Sequence, residues 1–406
     1  MLFSKNITDI TWQDIIAFCD QGTPEGATLD YKKDFPKNLQ KSIAAFANTM
    51  GGVILIGIDE DEENKPKLPI DGIPFEKGIS ERIMNIILSN ITPPVFPEIQ
   101  VCLNEDKSKA IAVIRIPQSN NTPHAINNNT EVYVRTGNRT NSEPLATVDN
   151  LFWLAEHRSQ SVVLHDKILD EAEKRFKTFY NLELGRAVKE GKFKYSPDIC
   201  RLTFSLSPCY PKDYYCTPPE LIDILNKIYV EDYYGTSEEF PIGESRFRTR
   251  LNQSGLNLGL FINNYAYYTE LNCYGIFYYR QHLFGRLDKA DIPPVKQIRM
   301  NEIISRLDQF LASANKFYEE IGFYGLLSLT FSIDGLNKFD LKIGIKGDEK
   351  KTFEESVSYE LTFMKSQIIP HKKEIIFKAI RNLAWAYNWD IKMDYFKHFE
   401  KHFVAL

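Results

Sequence analysis

The sequence predicts an α+β protein, with a mixed sheet and helices in its N-terminal region and a second α+β domain of unassigned fold after it. Two observations support this class: apolar residues recur at helical spacing in some segments, and short β-branched runs lie between those segments. The chain has 406 residues, which is long for one domain. We expect an N-terminal domain at 1–148, a linker helix at 149–180 and a C-terminal domain at 181–406.

The N-terminal elements follow from local patterns. A first helix is predicted over 9–19, capped by Asp9 or Thr11, and Pro36 is expected to open a second one. The apolar, β-branched run VILIGI at 53–58 predicts a strand buried on both faces. The other elements predicted in this region are a helix over about 77–90, a hairpin of strands at 97–103 and 110–116, and a strand at 131–137.

The linker helix and the C-terminal region have their own patterns. Apolar residues line one side of 149–180, and its charged DEAEKRFK stretch is expected to face solvent. Strands are predicted at RLTFSL, LGLFI, YAYYTEL and GIFYYRQ, with helices over 298–321 and 373–388. A hairpin is predicted around Gly335, joining LLSLTFSID to KFDLKIGI.

Composition excludes several classes of protein. Hydrophobic residues at 43% and charged residues at 25% fit a globular protein, and the net charge of -5 argues against a basic surface over the whole molecule. The six cysteines form no C-x-x-C pair, so a zinc site is not expected. No apolar run reaches about 18 residues and no signal-peptide pattern opens the chain, so we expect no membrane span and a cytoplasmic location.

Acidic side chains are concentrated in two stretches. Glu25 and Asp30 lie five positions apart, and a strand over TLDYK would point Asp30 and Lys32 to the same side. Asp59 and Glu60 follow the buried VILIGI strand. If the two strands are neighbours, these carboxylates converge beside one lysine, and oxygen ligands without Cys or His suit Mg²⁺ or Mn²⁺. The alternative interpretation of DEDEE is a solvated acidic surface.

Three ordered pieces of the sequence carry a family resemblance. EGATLDYK, AFANTMGGVILIGIDE and VYVRTGNRT resemble the AlbA-like domain of prokaryotic members of the Schlafen superfamily, over about residues 10–145. In characterised Schlafens this domain is a metal-dependent endoribonuclease that acts on tRNA and rRNA. By motif position its three carboxylates fall on Glu25, Asp30 and Glu60, with Asp59 adjacent. Asp30 stands where Glu is usual, and Glu60 stands where Asp is usual.

The resemblance implies a metal-dependent endoribonuclease that cleaves structured RNA such as tRNA. Its predicted catalytic residues are Glu25, Asp30, Lys32 and Glu60, and its predicted Mg²⁺ or Mn²⁺ ligands are Glu25, Asp30, Asp59 and Glu60. The predicted nucleic-acid contacts are Lys32, Lys33, Lys37, Arg135 and Arg139. The alternative is a non-catalytic nucleotide- or nucleic-acid-binding regulator, of the ATP-binding transcriptional regulator type. Converging carboxylates favour the nuclease, and salt-bridged carboxylates favour the regulator.

A homodimer is also predicted. Two AlbA-like lobes form a cradle around RNA in vertebrate Schlafens, whereas this chain shows one copy of the motifs. Pairing of two chains by two-fold symmetry would rebuild that cradle. The alternative is a monomer in which 181–406 supplies the second wall.

Overall fold

The computed structural model describes residues 7–136, 143–190, 199–211, 214–230, 240–241, 249–262, 265–283, 297–323, 325–342 and 349–393. The chain divides into two compact units, Met1–Val162 and Val163–Leu406. In the described residues, seven α-helices and several sheets confirm the α+β class. None of the helices in the described part of the chain is long and apolar enough to cross a membrane.

The first unit contains three helices and seven short strands, and a fourth helix begins in it. The helices are α1 (Trp12–Cys19), α2 (Leu39–Ala47), α3 (Ile79–Asn90) and α4 (Val148–Lys189), of which α4 continues into the second unit. The strands are β1 (Leu29–Lys32), β2 (Gly52–Ile56), β3 (Ile73–Pro74), β4 (Glu98–Leu103), β5 (Lys109–Ile116), β6 (Ala125–Ile126) and β7 (Glu131–Val132).

A mixed five-stranded sheet forms the centre of this unit, as predicted. Its path is β1-β2-β5-β3, and β4 also pairs with β5. β1 and β2 are parallel, whereas β5 is antiparallel to β2 and to β4, which confirms the predicted hairpin. Alternate residues of β2 enter two cores: Ile54 and Ile56 pack with α2 and α3, and Val53 and Leu55 pack with α1. Burial on both faces accounts for the unbroken apolar run.

Local chemistry sets the ends of these elements. Thr11 caps α1 in a capping box with Asp14, which selects it over Asp9. The second helix begins at Leu39 rather than at Pro36, with Asn38 as its N-cap. Gly51 then turns the chain into β2 with a φ of +68°, and a Cβ there would lie 2.5 Å from the Gln118 nitrogen. Gly51 is therefore required by the backbone.

The predicted strand at 131–137 is much shorter in the structure. Only Glu131–Val132 forms a strand, β7, and it pairs with β6. Tyr133 makes an isolated bridge to Leu145, and Arg135 lies beyond the strand. The Val134 amide donates to the Pro144 carbonyl and the Ala146 amide to the Val132 carbonyl, so backbone pairing of this segment continues beyond β7.

The second unit is built around a larger sheet. Besides the rest of α4, its helices are α5 (Glu220–Lys227), α6 (Met300–Glu320) and α7 (Lys372–Ala386). Its strands are β8 (Cys200–Pro208), β9 (Arg250–Asn252), β10 (Gly255–Ile262), β11 (Tyr265–Asn272), β12 (Phe277–Leu283), β13 (Gln297–Arg299), β14 (Leu326–Asp334), β15 (Asp340–Lys342), β16 (Glu349–Lys350) and β17 (Ser356–Met364).

Seven antiparallel strands pair in the order β17-β14-β8-β12-β11-β10-β9. The main core of the unit gathers apolar residues of α5, α6, α7 and this sheet, and a separate cluster joins α4 to Tyr268 and Tyr278. The hairpin predicted around Gly335 is wrong. β14 pairs with β8 and β17, whereas β15 pairs with β13 and β16 in a second sheet.

Candidate carboxylate site

The parallel pairing of β1 and β2 positions the predicted acidic residues. Asp30 lies opposite Ile54 and Lys32 opposite Ile56, so both strands end at the same edge of the sheet. Glu25 precedes β1, and Asp59 and Glu60 follow β2. The neighbouring strands that the sequence required are therefore present.

Lys32 lies between two of the carboxylates. Its Nζ is 2.7 Å from Oδ2 of Asp30 and 3.9 Å from Oε1 of Glu25. The approach to Asp30 is an ion pair without hydrogen-bond geometry, and Nζ donates to the Tyr31 carbonyl at 3.0 Å. Asp30 and Lys32 thus share one side of β1, as the alternation of a strand predicts.

Arg135 closes the opposite side of Asp30. The Arg135 side chain is 1% exposed, and Nη2 donates to Oδ1 of Asp30 at 3.0 Å and to the Leu29 carbonyl at 3.1 Å. Nε and Nη2 both donate to the Gly26 carbonyl, and Nη1 donates to Glu143 at 3.1 Å. Its guanidinium lies over the Phe46 ring at 4.2 Å. Arg135 is therefore enclosed, and this geometry does not offer it to a phosphate.

Glu25 has the most perturbed acidity in the cluster. The pKa of Glu25 is raised from 4.5 to about 7, mainly by burial, next by the Asp30 carboxylate and to a smaller extent by Glu60. The Tyr31 amide, which donates to Oε1 at 2.5 Å, and Lys32 act in the opposite direction. The raised pKa brings this carboxyl into the neutral range, and its side chain is 20% exposed.

The acidic run after β2 serves two purposes. Asp59 accepts a hydrogen bond from Lys33 at 2.9 Å, which lowers the pKa of Asp59. Asp61 accepts from the Glu63 and Lys65 amides, at 2.8 and 3.0 Å, and so forms the turn. Glu60 is exposed and close enough to affect Glu25. Part of DEDEE therefore forms a turn. Glu60 is the residue of the run that raises the pKa of Glu25.

One predicted contact lies apart from this cluster, one falls outside the described residues, and two residues join the cluster unpredicted. Lys37 is exposed beyond β1, and Arg139 lies outside the described residues. Glu143 pairs with Arg135 and lies 3.9 Å from Lys41, which extends the ion network. No spacing rule links position 143 to position 30, so sequence patterns could not indicate Glu143 or Lys41.

The predicted ligands only partly fit a metal ion. Both oxygens of Asp30 face cations, and its side chain is 3% exposed. Glu25, Asp59 and Glu60 have access to solvent, and Asp59 is paired with Lys33. Within the described ranges, no three His, Cys, Asp or Glu side chains are grouped so as to hold a metal. A cation here would have to bind Glu25 and Glu60 while Asp30 stays with Arg135 and Lys32.

Comparison with known proteins identifies the first unit. Residues 25–143 match the family model described as Schlafen, AlbA_2. No curated protein gives a significant match. One similar solved structure is the N-terminal domain of an ATP-dependent DNA helicase RecG-related protein from Nitrosomonas europaea, with 20% identity over 27% of this chain and 74% of that one, at a TM-score of 0.22. Another is the DIP2311 protein from Corynebacterium diphtheriae, with 13% identity over 31% of this chain and 26% of that one, at a TM-score of 0.19.

These two structural likenesses are too weak to support an argument, and the assignment depends on the family model. That match spans all three motifs and includes Glu25, Asp30, Glu60 and Arg135. It supports a function related to nucleic acids. Residues 25–143 of this chain are thus a Schlafen AlbA-like domain.

Proposed function

We propose that this domain binds RNA and cleaves its phosphodiester backbone at the carboxylate site. The observation that carries the proposal is the meeting of Glu25, Asp30 and Lys32 at the end of β1, with the pKa of Glu25 raised to about 7. A general base is most effective when its pKa lies near the working pH. Glu25 would accept the proton of the attacking water, and Lys32 would contact the scissile phosphate.

Asp30 would contribute to this reaction by holding Lys32 in place. Its charge is held by Arg135 on one side and faces Lys32 on the other. Lys32 is thereby kept at the mouth of the site, with its side chain 30% exposed. Arg135 acts as a positioning residue and does not reach the substrate.

The proposal includes Mg²⁺ or Mn²⁺. Glu25 and Glu60 would hold the ion, which would neutralise charge on the phosphate and the leaving oxygen. The charge of the surface supports this: Asp59–Glu63 places five acids beside the site, and Lys33 offsets Asp59 directly. A polyanion approaching this edge needs added positive charge, because like charges repel.

A second candidate is a non-catalytic nucleic-acid-binding regulator. One observation favours it: both oxygens of Asp30 face cations, which is the salt-bridged arrangement expected for a binder. In that case Lys32 and Lys33 would contact phosphates, and Glu25 would tune their availability.

Incubation of end-labelled tRNA with the full chain in Mg²⁺, Mn²⁺ or EDTA separates the two functions. The nuclease predicts fragments with either metal, none in EDTA, and none with Glu25→Gln. Glu105→Gln, an exposed acid in the turn between β4 and β5, is the matched control and should cleave normally. Binding without fragments in every condition would support the regulator. If the RNA is neither bound nor cleaved, both functions are refuted.

A further inference from the structure

Helix α7 in the second unit presents a face that combines an aromatic ring with positive charge. Lys378, Arg381 and Trp385 follow each other at i, i+3 and i+7, so they lie on one side of the helix. All three are exposed, and Trp385 is 65% exposed. The opposite side, including Ile376, Ile380 and Leu383, is fully buried in the core of the unit.

A second exposed ring, that of Phe353, follows a residue that is hydrogen-bonded to the C-terminal end of this helix. Phe353 is 100% exposed, although phenylalanine is among the residues most often buried. The preceding residue, Thr352, is buried, and its hydroxyl donates to the Ala386 carbonyl at 2.6 Å. The Glu354 amide donates back to the same hydroxyl at 3.0 Å. The residue before Phe353 is thus tied to the residue after Trp385.

The charges around the two rings are available to a ligand. Lys351, which precedes Thr352, is exposed. Arg381 is 58% exposed and lies 3.9 Å from Asp390, at the outer limit of an ion pair. A pair of this kind at the surface contributes little, so an incoming phosphate can compete for Arg381.

We propose that the surface formed by Phe353, Trp385, Lys351, Lys378 and Arg381 binds single-stranded RNA. Nucleobases stack on exposed aromatic rings whatever their sequence, and lysine or arginine alongside contacts the backbone phosphates. A duplex has its bases already stacked and offers only its phosphates. The surface therefore selects unpaired segments, such as the loops and ends of a folded RNA.

The composition of the surface argues for RNA over a protein partner. Protein interfaces are depleted of lysine at their centres, because burying an ammonium ion is costly. Here Lys378 shares the helix face with Trp385, and Lys351 lies two residues before Phe353. A protein that covered both rings would also have to cover these cations.

Two measurements on the full chain test this proposal, both in EDTA so that the RNA stays intact. In the first, a fluorescein-labelled 12-nucleotide single strand is titrated and its anisotropy is followed. Trp385→Ala and Phe353→Ala should each weaken binding roughly 5-fold or more, which corresponds to the loss of one stacked base. Lys378→Gln should lower the slope of log affinity against log salt by about 0.7. Lys174→Gln and Phe152→Ala, at an exposed lysine and an exposed aromatic elsewhere, are matched controls and should change neither quantity.

In the second, intrinsic tryptophan fluorescence reports stacking directly. The strand should quench the emission, and Trp385→Phe should remove most of that quenching, whereas the duplex of the same sequence should quench little. The quenching is measured in EDTA, where the proposed cleavage does not occur, so failure of the proposed cleavage and failure of this surface are distinguishable. Normal quenching in Trp385→Phe, together with unchanged affinity in Phe353→Ala, would overturn the proposal.

Discussion

Arg135 offers the sharpest test of the structure, because its sequence-based and structural roles differ. The resemblance places it as a phosphate contact. In the structure its guanidinium is enclosed and donates to the Gly26 and Leu29 carbonyls and to two carboxylates, Asp30 and Glu143. The change to make is Arg135→Met, which keeps an extended side chain over Phe46 and removes every donor.

The expected cost follows from what this change leaves behind. Asp30, with its side chain 3% exposed, would keep Lys32 but lose the partner of its Oδ1. Breaking a buried ion pair by removing one partner costs about 3–5 kcal/mol. That is a large share of the roughly 5–15 kcal/mol that stabilises a typical domain. Asp30→Asn/Arg135→Met should recover part of it, because no buried charge is then left unpaired.

Hydrogen exchange read by mass spectrometry measures this cost locally. Peptides that cover β1 and β2 should lose protection by more than about a hundred-fold, since each 1.4 kcal/mol is a factor of ten. Peptides from β10 and β11 in the second unit serve as the internal control and should not change. The reasoning fails if protection of β1 is unchanged while RNA affinity falls, because Arg135 would then contact phosphate.

Four further outcomes are expected. Glu25→Gln should stabilise the metal-free protein above pH 7 and not below about pH 4.5, because a carboxyl whose pKa rises from 4.5 to about 7 on folding costs stability once it must ionise. Allowing for the partial exposure of Glu25, melting curves across pH should show a gain of roughly 1–2 kcal/mol in the free energy of unfolding above pH 7. An equal gain at pH 4 would contradict this. Gly51→Ala should lower the melting temperature by several degrees, because its backbone is in the left-handed region and a Cβ would meet Gln118; an unchanged circular dichroism melt would contradict this. Lys32→Gln should lower the salt slope of RNA binding by about 0.7, and an unchanged slope would remove Lys32 from the contacts. Light scattering should give a molar mass of twice 47.0 kDa, as expected for a homodimer. A mass of one chain that does not change when RNA is added would contradict the homodimer prediction.

Local patterns were sufficient for most of the first unit. The apolar run of β2 predicted a strand buried on both faces, and Val53 to Ile56 alternate between two cores as that requires. Thr11 was one of the two predicted caps, and it could be named because capping depends on residues within one helical turn. The acids and Lys32 were found because their spacing, read on two strands, already brings them together.

What the sequence missed depends on partners that are distant along the chain. Arg135 meets Asp30 across 105 positions, and no period or motif announces that contact. The error at Gly335 has the same origin. The glycine does turn the chain, with a φ of +80°, but the strand before it has better partners in β8 and β17. Strand pairing is decided by non-local packing, which a local turn signal does not encode.

The two departures from the family motif divide the acids by their access to solvent. Asp30, the shorter acid, is buried and fixed between Arg135 and Lys32, where a glutamate would push its carboxylate one methylene further into an enclosed site. Glu60, the longer acid, is exposed and still close enough to affect Glu25. Under the proposed function, Asp30 orients Lys32, and Glu25 and Glu60 are accessible to a cation. The shorter Asp30 is therefore found where the carboxylate is paired with two cations, and the longer Glu60 is found at the exposed position.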